Sequence, residues 1–104
     1  MLDVIAIGST TRDRFFKVNF KTIKWLATPS RKAYVLPLGD KLELGEAHIT
    51  VGGNAANASV TFARQGFRVG VAAKVGSDPT GEAVVGQLKS EGVRTDLIAR
   101  AKNV

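Results

Sequence analysis

Beyond the pair Gly52-Gly53 the chain runs helix, strand, helix, strand, an order that few folds accommodate. Residues 54–65 are rich in Ala and unbroken by Pro or Gly, which suits a helix. Gly66 stands where a left-handed C-terminal cap belongs. Ala56, Ser59, Val60 and Ala63 recur at helical spacing, and their small side chains let that face lie close to a sheet. Residues 68–75 follow as a strand, with Val69, Val71, Ala73 and Val75 alternating. Gly76-Ser77-Asp78-Pro79-Thr80 is a turn in which Asp78 caps the next helix. That helix, residues 80–91, turns Ala83, Val84 and Leu88 inward and stops at Gly92. Residues 93–99 are extended again, and upstream the Ile- and Val-rich run 3–8 reads as a buried strand. Strands alternating with such helices predict an α/β domain built on a parallel sheet. A parallel sheet needs both faces covered. Two helices and three strands do this poorly, so we expect the N-terminal part of a larger domain, or a chain whose core a partner completes.

Between the first strand and Gly52 the texture differs. Phe15-Phe16-Lys17-Val18-Asn19-Phe20 alternates in part, and Ile23, Trp25 and Ala27 keep a period of two. Residues 28–32 signal a turn, and 34–38, 41–44 and 48–51 read as further short strands of a small, half-exposed antiparallel sheet. The charge is concentrated here. Arg12, Arg14, Lys17, Lys21, Lys24, Arg31, Lys32 and Lys41 face only Asp13 and Asp40, so residues 12–41 hold the whole net charge of +6. Such a ribbon attracts anions such as nucleic acid, phosphorylated metabolites or acidic lipid, or simply guards an exposed strand edge. No membrane partner is expected, and nucleic acid is not favoured either. The aromatic residues of the ribbon suit a covered surface better than base stacking.

The composition closes off several chemistries. With no Cys there is no disulfide, thiol nucleophile or thiolate metal site, and one His makes an all-protein zinc site unworkable. No apolar run approaches the roughly 20 residues of a membrane span. The start, Met1 to Gly8, lacks a basic region ahead of its apolar run, unlike a secretory signal. A cytoplasmic protein is expected. His48 is read as structural or exposed, and Glu43 and Glu46 as solvated.

The stretch with chemical content is Gly52-Gly53-Asn54-Ala55-Ala56-Asn57-Ala58-Ser59. Two glycines lead into a helix whose first turn offers backbone N–H groups at the positive end of its dipole. Glycine lets a ligand approach the backbone, and the amides of Asn54 and Asn57 suit hydroxyl-rich ligands. The same residues also read as an ordinary Gly-Gly turn with Asn54 as N-cap. A phosphate-cradling nucleotide site is a further alternative. A dinucleotide fingerprint, however, wants Gly where Asn57 stands, and no Lys-Ser or Lys-Thr follows as in a Walker loop.

Gly52, Gly53, Ala55, Asn57, Ser59, Gly66 and Gly76 stand at the spacing of the first signature of the ribokinase-like (PfkB-type) carbohydrate kinases, which this chain resembles. The likeness extends to Ile7-Gly8-Ser9-Thr10-Thr11-Arg12-Asp13, which is similar to the family's first strand and its sugar-binding Asp. It also takes in Val75-Gly76-Ser77-Asp78-Pro79-Thr80-Gly81, and Leu88, Glu91-Gly92-Val93 and Thr95 further on. The resemblance implies a three-layer, Rossmann-like parallel sheet with a small antiparallel β lid, residues 14–51, incomplete in this chain. It implies ATP-dependent transfer of the γ-phosphate to a hydroxyl of a sugar, sugar phosphate or nucleoside. Asp13, Gly53, Asn54 and Asn57 then line the sugar site, with Thr11 at a position the family often fills with Asn. ATP and Mg²⁺ are expected for a complete enzyme, with a homodimer formed through the lid.

The family's catalytic base is an Asp in a later Gly-Ala-Gly-Asp motif, which this sequence lacks. No catalytic residue or metal ligand is therefore expected among these 104 residues, and the chain by itself is expected to be inactive. The reading from another class is a non-catalytic α/β domain that binds a ligand or dimerises through its exposed sheet.

Overall fold

The structure, a computed structural model, describes residues 1–24 and 30–102. Its elements are β1 (Val4–Ile7), β2 (Thr11–Phe16), β3 (Thr22–Lys24), β4 (Lys32–Tyr34), β5 (Ala47–Gly52), α1 (Asn54–Arg64), β6 (Val69–Gly76), α2 (Pro79–Ser90) and β7 (Ile98–Ala101). They form two compact units, one of Met1–Arg14 with Ile49–Val104 and one of Phe15–His48. Among the described residues no helix is long and apolar enough to cross a membrane.

The first unit is built on a sheet of order β1-β6-β7 with both pairings parallel, as the alternation of helix and strand predicts. Val4 lies opposite Val69, and Ala73 opposite Ile98. Strand alternation sends Val69, Val71 and Val75 to one face, where Ala55 and Ala56 of α1 and Val84, Val85 and Leu88 of α2 complete one buried cluster. Burying each Val or Leu side chain contributes about 1.5–3 kcal/mol. Val4 and Ala6 pack against the same cluster. Their strand neighbours Ile5 and Ile7 point to the opposite face and stay 50% and 81% exposed. Both helices therefore cover one face of the sheet.

The helix ends follow from local chemistry. Gly66 N–H bonds Ala63 O and Phe67 N–H bonds Phe62 O, a Schellman closure of α1. Phe62 and Phe67 meet edge-to-face at 5.7 Å, the apolar contact that accompanies this motif. Gly92 and Val93 close α2 in the same way on Lys89 O and Leu88 O. Asp78 caps α2 by accepting from Gly81 N–H at 2.7 Å, and Pro79 occupies the first turn. A bidentate pair from Arg64 to Glu91, at 2.9 and 2.6 Å, ties the end of α1 to the end of α2. Asp3 likewise receives the Arg68 backbone N–H and guanidinium. These bonds, more than simple proximity of charge, hold the Asp3 and Glu91 carboxyls below their ordinary 3.8 and 4.5.

Departures from expectation lie mostly in the middle of the chain. Residues 41–44 form no strand, and the stretch expected at 34–38 is replaced by β4, which ends at Tyr34. The single small sheet is instead two separate two-stranded pieces, β2 with β5 and β3 with β4. Trp25 and Ala27 lie outside the described residues, as do residues 28 and 29 of the expected turn. At the far end the strand expected over 93–99 is reduced to a bridge from Arg94 to Gly70, and β7 begins only at Ile98.

The second unit holds the antiparallel pair β3–β4, in which Thr22 faces Tyr34 and Lys24 faces Lys32. Phe20 stacks edge-on against Tyr34 at 5.7 Å. Lys17 N–H bonds Glu46 O and Gly45 N–H bonds Lys17 O. His48, Glu43 and Glu46 are exposed, and the 3.6 Å pair of Glu46 with Lys17 lies open to water, where it is worth little.

Two glycines of α2 give a matched test. A side chain at Gly81 would run into the Gly76 carbonyl, whereas nothing lies within 4 Å of one at Gly86. Gly86→Ala is expected to stabilise the protein by about 0.5–1 kcal/mol. Gly81→Ala should destabilise it by about 1–3 kcal/mol, both read as urea midpoints. The carboxyls predict an acid dependence. Asp3 and Glu91 bind protons less readily folded than unfolded, so their support is full above about pH 5 and fades as pH falls through the lowered folded values. Glu91→Gln should flatten the decline of the urea midpoint below that pH. An unchanged slope would show that the Arg64 pair does not form in solution.

Candidate functional site

The residues singled out from sequence lie where β1 and β2 meet the start of α1. Gly53, not Asn54, is the N-cap, with φ of 94°, and Asn54 is the first helical residue. Capping comes from 45 residues upstream. Ser9 Oγ accepts the Asn54 N–H at 3.2 Å. Ser9 O accepts the N–H groups of Ala55 at 3.1 Å and Ala56 at 3.4 Å. Asn57 N–H begins the intrahelical ladder on Gly53 O at 2.9 Å. The expectation of open amides in this first turn is thereby corrected: three of them already bind Ser9. A phosphate seated there would have to displace it, which counts against the nucleotide-cradle alternative.

Crowding explains why both residues before the helix are glycine. A Cβ on Gly53 would stand 2.5 Å from Ser9 O, and the backbone there is left-handed as well. A Cβ on Gly52 would overlap the Asp13 carboxylate. The bare backbone of Gly52 is thus what makes room for Asp13. Thr11 Oγ1 donates to Asp13 Oδ1 at 2.9 Å. The two side chains share one side of β2, two residues apart, and Thr11 orients the carboxylate while leaving it further acceptor capacity.

The structure accordingly brings Asp13 beside Gly52, Thr11 onto Asp13, and Gly53 and Asn54 onto Ser9. Asn57 lies one turn further along α1. It borders an open groove of about 490 Å³ with Thr50, Val51, Thr61, Arg64 and Gln87. Asn54 and Asn57 are exposed, and Asp13 and Gly53 half-buried. A smaller hollow of about 180 Å³ lies among Thr10, Thr11, Arg12, Gly76, Asp78 and Thr80. Thr10 Oγ1 is buried with no partner among the described residues. Sequence reading missed the role of Ser9, which it named only within the Ile7-to-Asp13 segment. The available signal was a small hydroxyl just past a strand, but its partner is remote in sequence.

Comparison with known proteins shows the family. The description "pfkB family carbohydrate kinase" matches residues 2–103. The chain belongs to the pfkB family of carbohydrate kinases. Ribokinase of Bacillus subtilis is 44% identical over 63 residues, 60% of this chain and 22% of that protein. A ribokinase from Cryptococcus neoformans, solved in complex with ADP, superposes on 96% of the chain with a TM-score of 0.69 and 25% identity. A carbohydrate kinase from Agrobacterium tumefaciens superposes on all of it with a TM-score of 0.72 and 21% identity, a likeness of fold. The chain spans 27% and 29% of those two structures. These likenesses bear out the ribokinase-like α/β class that the resemblance implies.

The crowding at Gly53 is open to measurement. Gly66 has the same φ of 94° with nothing within 4 Å, so Gly66→Ala carries only the backbone penalty of about 1–2 kcal/mol. Gly53→Ala adds a collision with Ser9 and is expected to cost at least about 1 kcal/mol more in urea denaturation. Equal losses would mean that Ser9 does not sit against Gly53.

Proposed function

We propose that this chain supplies the sugar-binding part of an ATP-dependent kinase that transfers the γ-phosphate to a hydroxyl of a sugar, sugar phosphate or nucleoside. The observation that carries the reading is the Asp13 carboxylate, held by Thr11 against the bare backbone of Gly52 beside the start of α1. A carboxylate there accepts hydrogen bonds from two substrate hydroxyls. The amides of Asn54 and Asn57 add donors and acceptors, and the Gly53 backbone is proposed to line the same site. Thr11 acts on Asp13 more than on the substrate.

We ascribe neither ATP nor Mg²⁺ binding to the residues described. Among these residues no set of three His, Asp or Glu groups is arranged to hold a metal ion. The amides of the first turn of α1 are occupied by Ser9. We assign no phosphoryl-transfer step to them. Their part is to bind the acceptor and orient its hydroxyl. Nucleotide, Mg²⁺ and the base that takes the hydroxyl proton are ascribed to regions that correspond to the remaining length of the family's proteins. Such an ATP-consuming enzyme would work in the cytoplasm.

Residues 14–51 are proposed as a lid over the sugar, whose closure excludes water from the reaction. Phe15, Phe16, Tyr34, Leu36 and Leu38 are 44% to 102% exposed, much apolar surface for so small a unit. That favours pairing of the lid with a second copy in a two-fold dimer. It is also the observation behind the alternative of a dimerising domain without catalysis.

ADP release by the whole protein, with hexoses, pentoses, nucleosides and sugar phosphates, tests the proposal. Turnover is expected with at least one of them, and none from the 104-residue chain alone. Asp13→Ala should raise the sugar KM about ten- to a hundredfold, as expected for loss of hydrogen bonds to a charged group. The ATP KM should stay within about twofold. Equal loss of both would sink the assignment of Asp13, and absence of turnover would favour the dimerising domain.

A further inference from the structure

We infer that Ser9 is a positioning residue for the acceptor sugar, and that its bonds make this end of the site selective for uncharged hydroxyls. The inference rests on the kinase reading above. A helix start normally leaves its first amides unpaired, and these attract anions. Here Ser9 supplies two oxygens to three of them: Oγ to Asn54, and the carbonyl to Ala55 and Ala56. The partial positive charge that would draw a phosphate or carboxylate is met by Ser9 instead. Asp13, against the adjoining Gly52, adds a negative charge at the same junction. An anionic group there would meet occupied donors and a carboxylate. A neutral polyol meets hydrogen-bonding groups of both kinds.

The same bonds fix where Asn54 stands. Ser9 follows Gly8, whose N–H bonds Ala72 O of β6, so the loop carrying Ser9 is tied to the sheet. Asn54 and Gly53 are held against that loop on one side, and Asp13 is four residues further along the chain, in β2. Ser9 thus sets the spacing between the Asn54 amide and the Asp13 carboxylate without touching substrate.

Ser9→Ala keeps the carbonyl that binds Ala55 and Ala56 and removes only the hydroxyl, so the helix should still form. In the whole protein this variant is expected to raise the sugar KM about tenfold, the worth of one hydrogen bond to a placed group. kcat and the ATP KM should stay within about twofold, and Ser9→Thr, which restores a hydroxyl, should recover most of the loss. Amide exchange adds a readout independent of turnover: Asn54 N–H should be protected in the native protein and lose protection in Ser9→Ala. Sulfate should neither shift the amide resonances of residues 54–57 nor compete with sugar in the native protein. An unchanged sugar KM, parallel loss of every kinetic parameter, an unprotected Asn54 amide or sulfate competition would each overturn the inference. If the native protein phosphorylates no sugar, the kinase reading fails, while exchange at Asn54 still decides whether Ser9 holds the helix.

Discussion

The first unit turns on a junction between neighbours in space that are far apart in sequence: Ser9, just past β1, and the first turn of α1. Three helix amides end on its two oxygens. Without them α1 would begin with unpaired donors close to the sheet, where an unmet N–H costs about 1–3 kcal/mol. With them, the helix start is drawn so close that residue 53 has room only for hydrogen. Its left-handed backbone and its lack of a side chain answer one constraint. From that fixed start α1 lays Ala55 and Ala56 against β6, and small residues are what such close packing requires. Asp13 and Gly52 repeat the logic on the next turn of chain, where a side chain is again sacrificed so that a neighbour can approach.

What could be read from sequence was whatever local chemistry decides. Gly66 and Gly92 end their helices through bonds that span six residues or fewer, so a glycine after a periodic run was sufficient signal. Asp78-Pro79 announced the start of α2 for the same reason. The odd-numbered valines of β6 gave its buried face because strand geometry leaves no other choice. The spacing of Gly52, Gly53, Asn57 and Gly66 carried the family. It could not tell that Asn54 would hand the N-cap to Gly53, because the bond that decides this comes from Ser9.

The middle of the chain was harder for the complementary reason. Alternation in residues 34–44 marks strands only if a partner strand lies alongside, and a short segment has no intrinsic preference strong enough to supply one. Pairing here is brief: β3 and β4 hold three residue pairs. One of them sets Lys24 opposite Lys32, like charges that oppose the pairing. The basic bias that stood out in the sequence therefore weakens local structure here, and exposed apolar side chains remain at Leu36 and Leu38. The same bias protects a short edge from unwanted strand addition, and the two effects pull against each other.

Asp13 shows how the two halves of this argument meet. It lies on β2, one of two strands shared between the compact units, whose boundary falls just after Arg14. Burial alone does not fix this carboxylate, since β2 is largely exposed. Its place is set by the hydroxyl of Thr11 on one side and the missing side chain of Gly52 on the other. A group held by a hydroxyl and a gap is well defined without being buried. It keeps its access to water and spare acceptor capacity. Those are the properties that recognition of a polyhydroxylated molecule requires, and a carboxylate locked into an ion pair would have lost them.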